Sequence, residues 1–349
     1  MNSSELFYFV SFILFIVVML VLDLGLLNKH DHIIKYKEAL LWSLLWMSLA
    51  FGFYLFVLFF GEKIHGIENL SQLKETLAKY KQAVVINDNF EQSIRHYKET
   101  LSFEFLTGYI IEEALSVDNI FVIILIFAAF GVDKRLYHRV LFWGILGAIV
   151  FRCVFIFTGA ILVAKFEWIL YLFSVFLIYS GVKMFLTRNK KEEINTVNHP
   201  VVKFASKYFA VHPKFEGNKF FVKIKHKRYL TPLLLVLFII EFSDILFAVD
   251  SIPAIFAVTK DPYIIIFSNI FAVLGLRSMF FLLINVIDKF QYFKHGLSVL
   301  LAFIGLKMLF NDYLKGIGFT VMHSLGVIIF ILSVSIIFSL FNKKENVTP

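Results

Sequence analysis

The sequence predicts an all-α protein, a polytopic transmembrane helical bundle of about nine spans with an inverted repeat of two three-helix units. Three observations predict this fold: an apolar composition, a series of apolar segments of membrane length, and charged residues that recur in two parts of the chain. Of 349 residues, 59% are hydrophobic and 17% are charged, and the mean hydropathy is +0.78. Soluble domains have about 25% charged residues, so the expected solvent is lipid.

Nine apolar segments are long enough to cross a bilayer as helices, for which about 20 residues are needed. They lie at residues 5–27, 38–60, 101–130, 138–164, 167–187, 231–258, 262–286, 294–311 and 317–341. The first segment is too long for the core of a signal peptide and has no basic leader, so we expect it to remain as a helix.

These segments divide the chain into six parts. The parts are two N-terminal transmembrane helices (1–60), an extracytoplasmic, partly helical insertion (61–100), a first three-helix repeat (101–187), a basic cytoplasmic loop (188–230), a second three-helix repeat (231–311), and the last transmembrane helix with a cytoplasmic tail (312–349). An odd number of spans places the two termini on opposite sides of the membrane.

The distribution of basic residues predicts the orientation. Residues 188–230 hold eleven Lys and Arg and three acidic residues. Because basic loops stay on the cytoplasmic side, we expect a multi-pass protein of the plasma (inner) membrane with its N-terminus outside and its C-terminus in the cytoplasm. Nucleic acid is not an expected partner, since no binding motif accompanies the charge.

Charged residues that recur in the same order indicate the internal repeat. Glu112 matches Glu241, Asp118 matches Asp250, Arg152 matches Arg277, and Lys183 matches Lys307. Chance similarity between apolar helices explains matched Phe and Val well but matched charges poorly. Each unit holds three spans, an odd number, so the second unit would enter the membrane from the opposite side. Secondary transporters commonly have this architecture.

The first span of each repeat carries a motif rich in carboxylates. The candidate ligands are Glu112, Asp118 and Asn119 in the first motif and Glu241, Asp244, Asp250 and Ser251 in the second. A charge at the centre of a transmembrane helix costs about 2.5–3.5 kcal/mol, so these groups should face the protein interior, gain partners, or lie near a helix end. All are hard oxygen donors without Cys or His among them, which suits Mg, Ca or Mn.

Pro253 lies inside the second motif. It removes the hydrogen bond to the carbonyl of Val249, so the sequence predicts a kinked or unwound helix near Asp250. Unwound backbone at membrane depth is tolerated where it lines a polar cavity, and transporters bind ions at such breaks.

Structural roles compete with metal binding for several of these residues. Arg152 and Arg277 recur at equivalent positions, and we interpret them as counter-charges for the carboxylates, because intramembrane Arg usually pairs inside the bundle. For Glu113, pairing with a basic residue and metal ligation are equally open. Asp23, near the end of the first span, is either an interfacial residue or a seventh acidic group of the site.

The two motifs resemble those of the TerC family of integral membrane proteins. The resemblance rests on EEALSVDNIFV from Glu112 and EFSDILFAVDSIPAIFAVT from Glu241, and it also includes the first two spans. It implies a nine-helix protein of the lysine-exporter-like superfamily, in which some members are associated with manganese efflux and others with tellurium resistance or metal-stress complexes. By this resemblance, the acidic residues of both motifs would form the path of the metal.

Two functions remain open from the sequence. The first is a transporter that exports divalent metal cations, manganese above all, by alternating access and without a cofactor. The second is a membrane scaffold of a metal- or tellurite-stress resistance complex, whose basic loop recruits cytoplasmic stress proteins. That loop could also be attracted to anionic lipid. An enzyme is not expected, because no Ser/His or His–metal arrangement is visible.

Overall fold

The computed structural model describes residues 3–25, 36–82, 84, 86–87, 89–166, 168–187, 201–203, 207, 209–224, 227–284 and 293–341, and the side chains of all of these except 22–25, 250, 315 and 340. The described α-helices are α1 (Ser3–Gly25), α2 (Tyr36–His65), α3 (Leu70–Tyr80), α4 (Phe90–Phe130), α5 (Tyr137–Lys165), α6 (Trp168–Thr187), α7 (Pro232–Phe256), α8 (Pro262–Leu283), α9 (Phe293–Leu309), α10 (Asn311–Gly316) and α11 (Val321–Phe341). A 3₁₀ helix (Lys134–Leu136) precedes α5, and strands β1 (Phe221–Ile224) and β2 (Lys227–Leu230) form an antiparallel hairpin before α7.

The predicted helical membrane bundle is confirmed. Within the described residues, eight helices are long and apolar enough to cross a membrane, namely α1, α2, α4, α5, α6, α7, α8 and α11. The remaining predicted span, 294–311, corresponds to α9, which has 17 residues. A helix of that length measures about 26 Å, somewhat less than the roughly 30 Å of a hydrocarbon core.

The segment 61–100 is built partly from extensions of its neighbouring helices and partly from a helix of its own. α2 continues to His65, and α4 begins at Phe90 rather than at 101 and runs for 41 residues. Asn89 caps α4 by accepting a hydrogen bond from the N–H of Glu91 at 2.8 Å, a favoured role for Asn. Between them, α3 begins after Asn69 and ends before Lys81, whose φ of 51° is left-handed. The side of the membrane on which this segment lies stays a prediction.

α8 lies at the centre of the bundle. Nearly all its side chains are buried, and it packs against α2, α4 and α5. Pro262 occupies its first turn, and Asp261 caps it by accepting a hydrogen bond from the N–H of Tyr263 at 3.0 Å. By contrast, α6 and α11 expose apolar side chains on their outer faces, where lipid would cover them.

Contacts between the two predicted repeats are reciprocal. α4 packs on α8 as α5 packs on α7, and α6 packs on α9. At this last contact, a Cβ on Gly181 would lie 2.7 Å from the carbonyl oxygen of Ser298, and one on Gly305 would lie 2.8 Å from that of Ser174. Glycines permit such close approach of helices. A two-fold axis between the two units would produce these reciprocal contacts. Contacts alone do not show the direction in which each unit crosses the membrane, so the inverted orientation stays a prediction.

The unwinding predicted at Pro253 is wrong. α7 is a continuous helix from Pro232 to Phe256. Pro253 lies in its last turn, so only one helical hydrogen bond is lost before the helix ends. The three residues after the proline are fully or almost fully buried, and packing therefore holds the turn in place.

Candidate functional site

Arg152 of α5 joins the two predicted motifs. Its side chain is completely buried. The guanidinium donates two hydrogen bonds to Asp244 of α7, from Nη2 to Oδ1 at 3.0 Å and from Nε to Oδ2 at 3.1 Å. Its Nη1 pairs with Glu112 Oε1 of α4 and lies 3.3 Å from Asn269 Oδ1 of α8. The predicted role of Arg152 as a counter-charge is confirmed.

The carboxylates outnumber this arginine. Glu113 interacts electrostatically with Glu112, and Glu241 interacts in the same way with Asp244. Two carboxylates, Glu112 and Asp244, thus share a single guanidinium, and Glu113 and Glu241 each lie near one of them. Such an arrangement attracts a further cation and repels an anion.

Several oxygens in this region lack a hydrogen-bond partner within the described residues. They are Glu112 Oε2, Glu113 Oε2, Ser116 Oγ, Glu241 Oε2 and Ser251 Oγ. A buried acceptor without a partner costs about 1–3 kcal/mol, more when it is charged, and buried polar groups are normally satisfied by protein or by water. The Ser251 hydroxyl lies close enough to the Glu112 carboxylate to interact with it, so these two groups partly satisfy each other, while the other oxygens have free capacity for water or for a metal ion.

Glycines on neighbouring helices make room for two of the carboxylates. Glu241 lies against Gly147 of α5, where any Cβ would collide with its carboxyl group. Glu113 lies beside Gly275 of α8, at 3.5 and 3.7 Å from the position of a Cβ. Glu113 thus adjoins backbone, and no hydrogen bond or ion pair to its carboxyl group is found in the described part of the chain.

Three further predicted ligands are Asp118 and Asn119 of α4 and Asp250 of α7. Asp118 pairs with Lys294 of α9, with 3.5 Å between Oδ1 and Nζ. Asn119 is buried. The side chains of Asp250 and Asp23 lie outside the described residues. Among the side chains that are described, no three from His, Cys, Asp and Glu are placed to hold a metal ion together.

The other recurring arginine, Arg277 of α8, is also buried. Its Nη1 lies 2.9 Å from His138 Nε2 of α5. The two matched arginines therefore differ in this contact, since Arg152 pairs with carboxylates and Arg277 reaches a histidine.

A second buried polar group, which the sequence did not predict, surrounds His65 at the end of α2. Its Nε2 lies 2.8 Å from Asp261 Oδ2, and its Nδ1 lies 3.2 Å from Glu5 Oε1. The same Glu5 oxygen accepts hydrogen bonds from the Tyr80 hydroxyl at 2.6 Å and from Lys79 Nζ at 2.8 Å. Burial raises the pKa of the Tyr80 phenol well above its ordinary value, so this hydroxyl stays a donor.

The sequence is similar to that of known membrane proteins over most of its length. Residues 97–347 match the profile of the family described as Integral membrane protein TerC family.

The chain is 42% identical over 335 residues to an uncharacterized membrane protein of Myxococcus xanthus, covering 96% of this chain and 92% of that protein. It is 41% identical over 339 residues to a Photorhabdus laumondii protein, covering 97% and 96% of the two chains. It is 39% identical over 328 residues to an Escherichia coli K12 protein, covering 94% and 92%. Both of the latter are provisionally named membrane-bound redox modulator Alx. No solved structure matches the chain.

Proposed function

This chain belongs to the TerC family of integral membrane proteins, and we propose that it exports divalent metal cations, manganese above all, across the plasma membrane. The observation that supports this proposal most is the excess of buried carboxylates around Arg152, between helices of membrane length. We place the N-terminus outside and the C-terminus in the cytoplasm, because the basic loop favours the cytoplasmic side.

The donor chemistry supports a hard cation. Carboxylate, amide and hydroxyl oxygens suit Mn, Mg and Ca rather than Cu or Zn. The proposed path uses Glu112, Asn119, Glu241, Asp244 and Ser251, together with Asp118 and Asp250. An oxyanion such as tellurite would be repelled by the surplus of negative charge.

Arg152 gives this path a means of charge balance. Without metal, its guanidinium compensates Glu112 and Asp244. Removing one partner of a buried ion pair costs about 3–5 kcal/mol, so the two carboxylates need a positive partner at every stage. A divalent cation that binds them takes the place of the guanidinium, and Arg152 returns when the cation leaves. Metal and arginine thus alternate at the same oxygens.

The names of the Alx relatives refer to redox modulation. Exchange between a dithiol and a disulfide within one chain needs two cysteines, whereas this sequence has one, Cys153. A redox effect of this protein would therefore follow another route, and export of a redox-active metal is such a route.

A folded feature of the basic loop supports the scaffold as a second candidate. Strands β1 and β2 pair in register from Phe221 with Leu230 to Ile224 with Lys227. The side chains of Lys223, Lys227 and Arg228 are exposed on this hairpin. It presents a fixed basic surface that an acidic cytoplasmic protein or anionic lipid could contact.

Manganese flux into proteoliposomes separates the two candidates. We expect purified protein to move Mn²⁺ and expect Glu112→Gln and Asp244→Asn each to reduce the flux at least tenfold, because each removes a charged ligand. Glu216→Gln, which changes an exposed acid in the basic loop, is the matched control and should transport normally. Absence of flux with correctly inserted protein would reject export and favour the scaffold.

A further inference from the structure

A cleft of about 520 Å³ lies near the His65 group, beyond the end of α7. Residues of α3, α4, α9 and α11 and of the links beside them line it. Its polar lining includes Gln82, Glu104, Thr259, Lys260, Lys307 and Thr320. None of these residues belongs to the site around Arg152.

Glu104 of α4 is the buried acid of this cleft, with only 4% of its surface exposed. Its Oε2 accepts hydrogen bonds from Gln82 Nε2 and from Thr259 Oγ1, both at 2.8 Å. Thr259 Oγ1 also accepts the N–H of Asp261 at 3.2 Å, which directs its own proton toward Glu104. The carboxylate is therefore held in place from two sides.

The second side-chain oxygen of Glu104 and the side-chain oxygen of Gln82 accept no hydrogen bond from the described residues. Glu104 Oε1 takes part in no hydrogen bond with the described residues, and Gln82 Oε1 is likewise without a partner there. Nor does a Lys, Arg or His nitrogen of the described residues lie within ion-pair distance of Glu104, whereas Glu112 has Arg152. Lys307 of α9 lines the same cleft and attracts Glu104 from beyond ion-pair distance. Because a buried carboxylate is costly without a close counter-charge, Glu104 retains room for a cation that binds it directly.

Glu104 precedes Glu112 by eight residues on the same helix, about 12 Å along its axis. Between them, Gly108 packs against α8, where a Cβ would lie 2.8 Å from Ser268 Oγ. This close contact lies between the two carboxylates along α4. Two carboxylate positions on one helix, with a tight helix contact between them, suit an ion path that opens on one side at a time.

We infer that this cleft is the extracytoplasmic vestibule of the cation path and that Glu104 Oε1 and Gln82 Oε1 form a second binding station for a hydrated divalent cation. Thr259 is its positioning residue. Two protein oxygens leave most of the coordination shell to water, as is common for small hard cations. This inference rests on the proposed export function and adds where the ion leaves the protein.

Binding stoichiometry measured with Mn²⁺ alone, on full-length protein in detergent, tests the station. We expect two Mn²⁺ per wild-type chain, one in Glu104→Gln, one in Asp244→Asn and none in the double variant. Glu99→Gln is the matched control, because Glu99 lines the same cleft but is only partly buried and pairs with Arg95. Gln82→Leu, which keeps the carboxylate, should weaken binding at the station roughly three- to tenfold.

Flux in proteoliposomes distinguishes failure of the station from failure of export. If wild type transports Mn²⁺ and Glu104→Gln binds two ions with wild-type affinity, the station is overturned and export stands. An equal loss in Glu99→Gln also overturns it, since the effect would then be general surface charge. If wild type neither binds nor moves Mn²⁺, the export proposal itself fails. Monodisperse elution of each variant in gel filtration excludes misfolding as the cause.

Discussion

Two groups of buried carboxylates, one around Arg152 and one around His65, differ in how completely their oxygens are used. Both Asp261 oxygens take part in hydrogen bonds, to His65 and to the N–H of Tyr263. Around Arg152, in contrast, Glu112 Oε2 and Glu241 Oε2 are buried without partners among the described residues. A satisfied network stabilises one arrangement, whereas an unsatisfied one retains capacity for a ligand.

The difference also appears in what each group connects. The group around His65 joins the starts of α1 and α8 to the end of α2 and to α3, through Glu5, Asp261 and Tyr80. It therefore holds these helices together at one end of the bundle. The group around Arg152 joins α4, α5 and α7 in the interior.

Removing the central charge should give the largest effect. Arg152→Gln leaves two buried carboxylates without compensation, so we expect a loss of about 3–5 kcal/mol of stability and loss of Mn²⁺ flux. Because the metal can replace the missing charge, Mn²⁺ should raise the melting temperature of Arg152→Gln more than that of wild type. Thermal unfolding in detergent with and without Mn²⁺ measures this, and equal shifts in both proteins would contradict the exchange of metal and arginine.

Weakening the group around His65 should affect stability without affecting transport. Asp261→Asn keeps the shape of the side chain but removes the charge that faces His65, and hydrogen bonds to charged groups are worth about 1.5–3 kcal/mol. We expect a loss of that size in thermal unfolding and normal Mn²⁺ flux per folded molecule. Glu99→Gln, with its exposed partner Arg95, should change stability by less than about 0.5 kcal/mol. A selective loss of flux in Asp261→Asn would instead place the His65 group in the transport path.

The contrast between these two groups also separates what the sequence predicts from what it does not. The helices were predictable, because the length and apolarity of a segment are local properties. The pairing of Arg152 was predictable as well, since a buried arginine needs a counter-charge. The group around His65 was not, because its members come from segments as distant as Glu5 and Asp261 and share no motif.

One prediction failed and one helix start was not predicted, each for a physical reason. α4 begins at Phe90 rather than at 101. The residues that precede the apolar segment are polar, and hydropathy alone gives no sign that they are helical. The unwinding at Pro253 was predicted from a general rule for helix interiors, but in the last turn of α7 the proline removes one hydrogen bond and the buried residues after it hold the turn in place. Of the seven predicted ligands, the structure brings Glu112 and Asp244 together through Arg152. Ser251 lies near Glu112 and Glu241 lies near Asp244.

The smallest effect is expected at Pro253, on the helix that connects the two groups. Pro253→Ala restores one helical hydrogen bond near the end of α7, worth about 1 kcal/mol, but it also gives up the rigidity that proline lends to the unfolded chain, worth about 0.4–1 kcal/mol. These effects oppose each other, so stability should change by less than about 1 kcal/mol.

Since α7 is already helical through Ser251 and Pro253, the substitution should leave the carboxylates in place and change Mn²⁺ affinity by less than about twofold. Calorimetric titration with Mn²⁺ checks the second expectation. A tenfold loss of affinity would show that the proline shapes the carboxylate site through a bent or open state of α7. The group around Arg152 would then depend on the end of α7 that lies near the group around His65.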